Sequence, residues 1–274
     1  MSLSFSLLLA SGIFYGAAFL FHLASFFGGR EKHRPAFTLM RIGFLFSTFF
    51  FMAQAVDSGF FLPVANFSQA MAFFAWSLAF VYLVLLVRIQ TDSFGLVLSP
   101  ILAGLIAASL NADSEVVKLP PMAANPYFKL HVLSAFFAYA AFTISFAAGL
   151  LYLIQHHELK TKHAGTFYQK LPSLEDLEKL IYQPVGWGAP LLALALAIGF
   201  LWSKSAYGEY WVFDPKTILT ALTLFLYGAI LFFRRFASLG GKRAALLSLI
   251  AFGFVLFSFV GMHFIHSSHH FPAG

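Results

Sequence analysis

Along the chain, long stretches that are apolar on every side alternate with short polar segments. Eight of these stretches are close to or longer than the roughly 18 residues needed to cross a bilayer. They predict helices over Ser4–Phe27, Phe37–Val56, Gln69–Val87, Phe94–Leu110, Lys129–Gln155, Val185–Trp202, Lys216–Phe233 and Arg243–His263. A membrane barrel would need apolar and polar residues to alternate along each strand, and these stretches do not alternate. The expected fold class is therefore all-α: a polytopic membrane bundle of about eight transmembrane helices forming one domain over residues 1–274. The longest connection, residues 156–184, carries a shorter signal of its own. Ser173 and Asp176 have capping-box spacing, and Leu174, Leu177 and Ile181 share one apolar face. That pattern predicts a separate short helix lying on the membrane surface.

Composition supports this reading and narrows the function. Hydrophobic residues make up 60% of the chain and charged residues 10%, against about 25% charged in a soluble domain. Too little polar surface remains to keep the chain in water. The net charge of +6 would suggest nucleic acid in a soluble protein. Here the basic residues sit in short loops and set orientation, so no nucleic-acid partner is expected. With no cysteine in the chain, disulfides, thiolate metal sites and thiol transfer are excluded for this polypeptide. The N-terminal Met-Ser-Leu-Ser-Phe-Ser lacks the basic region of a signal peptide and runs directly into the first span.

Lys and Arg fall almost entirely on one side. Arg30, Lys32, Arg34, Arg41, Arg88, Lys160, Lys162, Lys170, Lys179, Arg234, Arg235, Lys242 and Arg243 share it, thirteen in all. The opposite side has four: Lys118, Lys129, Lys204 and Lys216. The basic side is expected to be cytoplasmic, which places both termini outside the cytoplasm.

That topology sorts the histidines. His131 opens span five at its outer end. His263 follows Arg243 by twenty residues, about 30 Å of helix, and so ends span eight at the outer boundary; His266 follows on the same helical face. Between spans six and seven lies an aromatic outer loop within 203–216, reading Tyr207-Gly-Glu-Tyr-Trp-Val-Phe-Asp-Pro-Lys216. Imidazoles beside an aromatic surface suit a flat, apolar, iron-containing ligand, because haem iron accepts histidine nitrogen axially. Zinc suits the pattern less well, since no third and fourth ligands recur at regular spacing. The residues also fit ordinary interfacial positions, where Trp and Tyr are enriched without any cofactor.

His22 is a different case. It lies eight residues before Arg30, about 12 Å into the membrane, where an ionisable side chain must face the bundle interior and find a partner. A neutral histidine bonded to a carbonyl is the structural alternative. Asp214-Pro215 opens span seven with a good N-cap followed by a good first helical residue, so Asp214 has a structural reading as well. His156, His157 and His163 fall in the cytoplasmic loop, and His269 and His270 in the C-terminal tail, where solvation explains them.

The loop Y-G-E-Y-W-V-F-D-P-K resembles the tryptophan-rich WWD segment of haem-handling membrane proteins, which reads W-G-x-x-W-x-W-D-P-K-E. His131 within L-H-V resembles the opening of a span in the CcsA (ResC) proteins of cytochrome c assembly. Further similar stretches are A-N-F-S-Q-A-M-A-F-F-A-W, containing Asn66 and Trp76, and L-P-S-L-E-D-L-E-K-L leading into span six. The resemblance runs from about residue 10 to residue 266, judged by the order of these motifs.

It implies a haem carrier in the bacterial cytoplasmic (inner) membrane that presents haem b at the outer face. The partners it implies are a CcsB-like membrane protein and apocytochrome c, with the lipid bilayer as surroundings. His131 would be one axial ligand and His266 or His263 the other. Trp211, Tyr207, Phe213 and Asp214 would form the platform, and His22 would contact haem in transit. The same resemblance implies a positioning device rather than a self-sufficient catalyst. Tyr207 and Phe213 stand where the motif has tryptophan, Thr217 where it has an acid, Gln69 where a Glu is usual, and Phe232 or a neighbour where synthetases have a histidine. These departures also resemble HemX, a branch of the same superfamily linked to control of haem synthesis through glutamyl-tRNA reductase. A solute transporter unrelated to haem is disfavoured, because no inverted repeat or broken span pair is evident.

Overall fold

A computed structural model describes residues 2–28, 33–58, 64, 66–86, 92–112, 125–161, 170–207, 215–237 and 240–261. Among the described residues all regular structure is helical. The helices are α1 (Leu3–Gly28), α2 (His33–Ser58), α3 (Phe67–Leu86), α4 (Asp92–Asn111), α5 (Pro126–Thr161), α6 (Leu174–Tyr207), α7 (Pro215–Ala237) and α8 (Gly241–Leu256), the last continued by a π-helical turn, Phe257–Gly261. All 8 are long and apolar enough to cross a membrane. Many of their large apolar side chains lie on the outside, among them Leu20, Val56, Phe225 and Phe236. Lipid solvates such side chains, while the backbone hydrogen bonds are satisfied within each helix.

One expectation is corrected here. The segment from Leu174 does not form a separate surface helix; it runs without a break into the sixth span as α6, with Pro184 and Pro190 inside it. The capping box is present: the Asp176 amide donates to Ser173 Oγ at 3.1 Å, and the Ser173 hydroxyl donates to Asp176 Oδ2 at 2.7 Å. Leu177 and Ile181, on the apolar face, are fully buried. Protein side chains rather than lipid cover that face, which removes the reason for it to lie flat on a membrane.

The chain divides into two compact units, residues 1–124 with 151–177, and residues 125–150 with 178–274. In the first unit α1 packs against α2 and α4, and α3 packs against α4 and α2. Lipid tails are as apolar as the side chains, so close approach and interhelical hydrogen bonds hold such helices together. Gly43 admits the Tyr15 ring, to which a Cβ would come within 2.8 Å, and the Ser11 hydroxyl donates to the Gly43 carbonyl at 2.9 Å. Ser68 and Ser109 exchange hydroxyl-to-carbonyl bonds of 2.7 Å between α3 and α4. In the second unit the Ser145 hydroxyl bonds the Ile181 carbonyl at 2.9 Å and lies 2.8 Å from the Ser248 hydroxyl. There Phe142 stacks on Tyr227 with ring centroids 3.7 Å apart.

Candidate functional site

Two of the sequence-predicted residues, His131 and His22, are described in full. Tyr207 ends α6, with its side chain outside the description, and Trp211, Phe213, Asp214, His263 and His266 lie outside the described residues. Pro215 does open α7, as the Asp-Pro pair predicts.

His131 stands in the second turn of α5, half-buried. Its Nδ1 is 2.7 Å from the Ala195 carbonyl oxygen of α6. A carbonyl can only accept, so in the neutral ring Nδ1 carries the hydrogen and Nε2 keeps its lone pair. Gly199 makes the approach possible, because a Cβ there would stand 2.9 Å from Nδ1. Residues on both sides of the aromatic loop meet this end of α5. Before the loop, Trp202 packs on Phe128 at 5.3 Å and the Ser205 hydroxyl accepts from Asn125 Nδ2 at 3.2 Å. After it, Lys216 is within electrostatic reach of His131. Near the end of the last helix, Phe259 packs edge-on against Phe136 with ring centroids 5.4 Å apart. His263 and His266 follow that contact by four and seven residues.

His22 lies in the other unit. It is wholly buried in α1, and its Nδ1 is 2.9 Å from Asp92 Oδ1, at the first residue of α4. The second carboxylate oxygen accepts the Ser25 hydroxyl at 2.5 Å. Asp92 is itself only 7% exposed, so both members of the pair are shielded from solvent. Lys170 Nζ donates to the carbonyl oxygens of Ser25 and Phe26 near the C-terminal end of α1, where a cation is favoured. The Ser93 hydroxyl in turn donates to the Lys170 carbonyl at 2.8 Å. The residue that sequence reasoning missed is Asp92. An intramembrane histidine needs a partner, and Asp92 sits at the edge of span four on the side His22 approaches; that was the available signal.

Asn66 and Trp76, carried by the family resemblance, have structural roles here. Asn66 Oδ1 accepts the Gln69 amide at 2.8 Å as the N-cap of α3. Trp76 Nε1 donates to Thr48 Oγ1 at 2.9 Å, within a stack of Phe44, Phe73 and Phe80.

The donor chemistry at both histidines suits iron. In each, one ring nitrogen is fixed by an oxygen acceptor, the arrangement that orients a metal-ligating imidazole. Among the described residues no group of three or more His, Cys, Asp or Glu gathers as a metal cage. Ligation of a bare ion by a full set of protein side chains therefore has no basis there, whereas haem needs only one or two axial nitrogens.

Comparison with known proteins adds to this picture. The family described as cytochrome C assembly protein matches residues 64–270. Protein HemX of Brevibacillus brevis is 29% identical over 251 residues, covering 90% of this chain and 91% of that protein. Protein HemX of Bacillus subtilis (strain 168) is 28% identical over 237 residues, 85% of this chain and 86% of that protein. Cytochrome c biogenesis protein CcsA of Guillardia theta is 27% identical over 234 residues, 78% of this chain and 77% of that protein.

Proposed function

The chain belongs to the cytochrome c assembly protein family, and from that premise we propose that it is a multi-pass, haem-handling membrane subunit of c-type cytochrome biogenesis. Haem is its cargo, haem b in the form carried, and the chain holds it at the outer face of a bacterial cytoplasmic membrane. A CcsB-like partner completes the assembly, and apocytochrome c receives the haem. His131 supplies one axial nitrogen and His266 or His263 the other, with Tyr207, Trp211, Phe213 and Asp214 forming the platform over the macrocycle. The chain positions haem; the bond-forming chemistry belongs to the apocytochrome and the partner.

The observation that carries the reading is the fixed His131 ring. Its Nδ1–H is spent on the Ala195 carbonyl at 2.7 Å, which leaves the Nε2 lone pair for a ligand. Trp202, Ser205 and Lys216, which flank the aromatic loop, meet the same end of α5. An aromatic sequence whose flanking residues meet the helix end that carries a fixed imidazole suits a flat porphyrin better than an ion or a small polar solute.

A second reading has one observation in its favour: the alignment with HemX of Brevibacillus brevis runs nearly end to end, at 90% and 91% of the two chains. In that reading the chain regulates haem synthesis by acting on glutamyl-tRNA reductase levels, and its cytoplasmic loop, residues 156–184, meets the partner. Deleting the gene separates the two. Loss of covalently bound c-type haem with unchanged reductase supports the assembly role. Normal c-type cytochromes with altered reductase abundance would overturn it in favour of regulation.

A further inference from the structure

Glycine inside a helix is destabilising relative to alanine, yet Gly199 stands within α6 beside His131. Its surroundings supply a reason. The Ala195 carbonyl, which takes the His131 Nδ1 hydrogen at 2.7 Å, is by the helix pattern also the acceptor for the amide four residues on, that of Gly199. A Cβ on a helix leans back toward the preceding turn, so one at 199 would stand over that carbonyl. It would meet His131 Nδ1 at 2.9 Å and Cε1 at 3.1 Å, and the three nearest atoms around it all belong to that ring. Neighbouring contacts fix the same register. Asn125 Oδ1 caps α5 by accepting the Tyr127 amide at 2.9 Å, and its Nδ2 donates to Ser205 at 3.2 Å. Phe128 packs on Trp202 at 5.3 Å. The start of α5 and the end of α6 therefore meet in antiparallel steps of three residues on each: 125 with 205, 128 with 202 and 131 with 199.

Resting on the haem-handling reading above, we propose that Gly199 is a positioning residue for His131. Its bare backbone seats the ring on the Ala195 carbonyl, in the tautomer whose Nε2 lone pair haem iron accepts. Gly199 acts through the imidazole, as the groups behind metal-ligating histidines do, and does not itself touch the cargo. The ring is half-buried near the start of its helix, and seating it needs no rearrangement of α5 or α6. The aromatic sequence opens at Tyr207, two residues beyond Ser205, so the register that seats the ring also sets where that sequence leaves α6. Gly199→Ala perturbs this seat locally. The nearest group its methyl meets is the His131 ring, which can swing about its side-chain torsions. The ring then leaves the carbonyl while the helices keep their other contacts.

The test compares the full chain with Gly199→Ala and His131→Ala, each purified from haem-replete cells. Haem release is followed as transfer to excess apomyoglobin, and ligation by the low-spin electron paramagnetic resonance signal of the ferric form. Stability is read separately, by dodecyl sulfate titration of chains from haem-depleted cells. Gly199→Ala is expected to release haem about 10-fold faster than the wild type, with a shifted resonance signal and a titration midpoint that does not fall. A release rate and signal equal to the wild type would overturn the positioning role. Faster release with an unchanged signal and a lowered midpoint would also overturn it, leaving Gly199 a packing role only. Should Gly199→Ala fail to elute at the wild-type volume, Phe128→Leu loosens the same register one turn away; a smaller change in the same direction supports the proposal and no change overturns it. Wild-type release and signal in His131→Ala would remove His131 as a ligand and overturn the proposal while haem handling stands. Absence of haem from the wild type would instead overturn the haem-handling reading and this proposal with it.

Discussion

Removing the Asp92 carboxylate takes an acceptor from two buried donors at once. The His22 Nδ1–H and the Ser25 hydroxyl, which reach it at 2.9 Å and 2.5 Å, lose their acceptor in a site where His22 has no exposed surface. Breaking a buried pair in a soluble protein costs about 3–5 kcal/mol. The cost is lower in a membrane, where interhelical hydrogen bonds average about 0.6 kcal/mol and reach about 1.7 kcal/mol because the unfolded state also finds partners. Full enclosure and the carboxylate charge place this pair above that average. Asp92→Ala is therefore expected to destabilise the chain by roughly 2–3 kcal/mol. His22→Ala removes the imidazole from the carboxylate and should cost a similar amount. The double variant removes the pair together and should cost less than the two singles added, a coupling of about 1–2 kcal/mol. The assay is reversible unfolding of the purified chain in mixed micelles on titration with dodecyl sulfate, followed by far-UV circular dichroism. Additive single and double variants, with coupling under about 0.5 kcal/mol, would refute the claim that the two side chains form one interacting unit.

Three other outcomes follow from the packing and the topology. Gly43→Ala sets a Cβ 2.8 Å from the Tyr15 ring; overpacking of this kind should cost about 1–3 kcal/mol, seen as a lower midpoint in the same titration. Ser68→Ala and Ser109→Ala each remove half of a reciprocal pair with 2.7 Å bonds, so each should cost about 0.6 kcal/mol and the double variant less than the sum. The chain has no cysteine, so single introduced cysteines report orientation cleanly. A membrane-impermeant maleimide should label Lys118→Cys in intact cells and Lys162→Cys only after permeabilisation, and the reverse pattern would invert the topology.

The helices were legible because a membrane span is set by one simple quantity, the length of an uncharged run. Seven of the predicted spans differ from the observed helices mainly at their ends. The exception is α6, where the predicted span opens at Val185, just after Pro184, yet Pro184 sits inside one helix that begins at Leu174. The burial of Leu177 and Ile181 outweighs the local breaker signal there, and burial depends on neighbours that no window of sequence contains. The candidate site was legible in half. Depth alone marked His22 as needing a partner, but Asp92 is 70 positions away and falls just outside the predicted span, which opens at Phe94. The tautomer of His131 was hidden for the same reason, since a backbone carbonyl on another helix, that of Ala195, fixes it. Long-range pairing of this kind has no local pattern from which to read it.

The central claim is that this chain carries haem on an axial nitrogen of His131. An absorption spectrum of the full chain, purified from cells with ample haem, tests it most directly, wild type beside His131→Ala. The account predicts a Soret band with the signature of two histidine ligands in the wild type, weakened and altered in ligation by the substitution. A wild-type chain without a Soret band, or one whose spectrum is unchanged by His131→Ala, would contradict it.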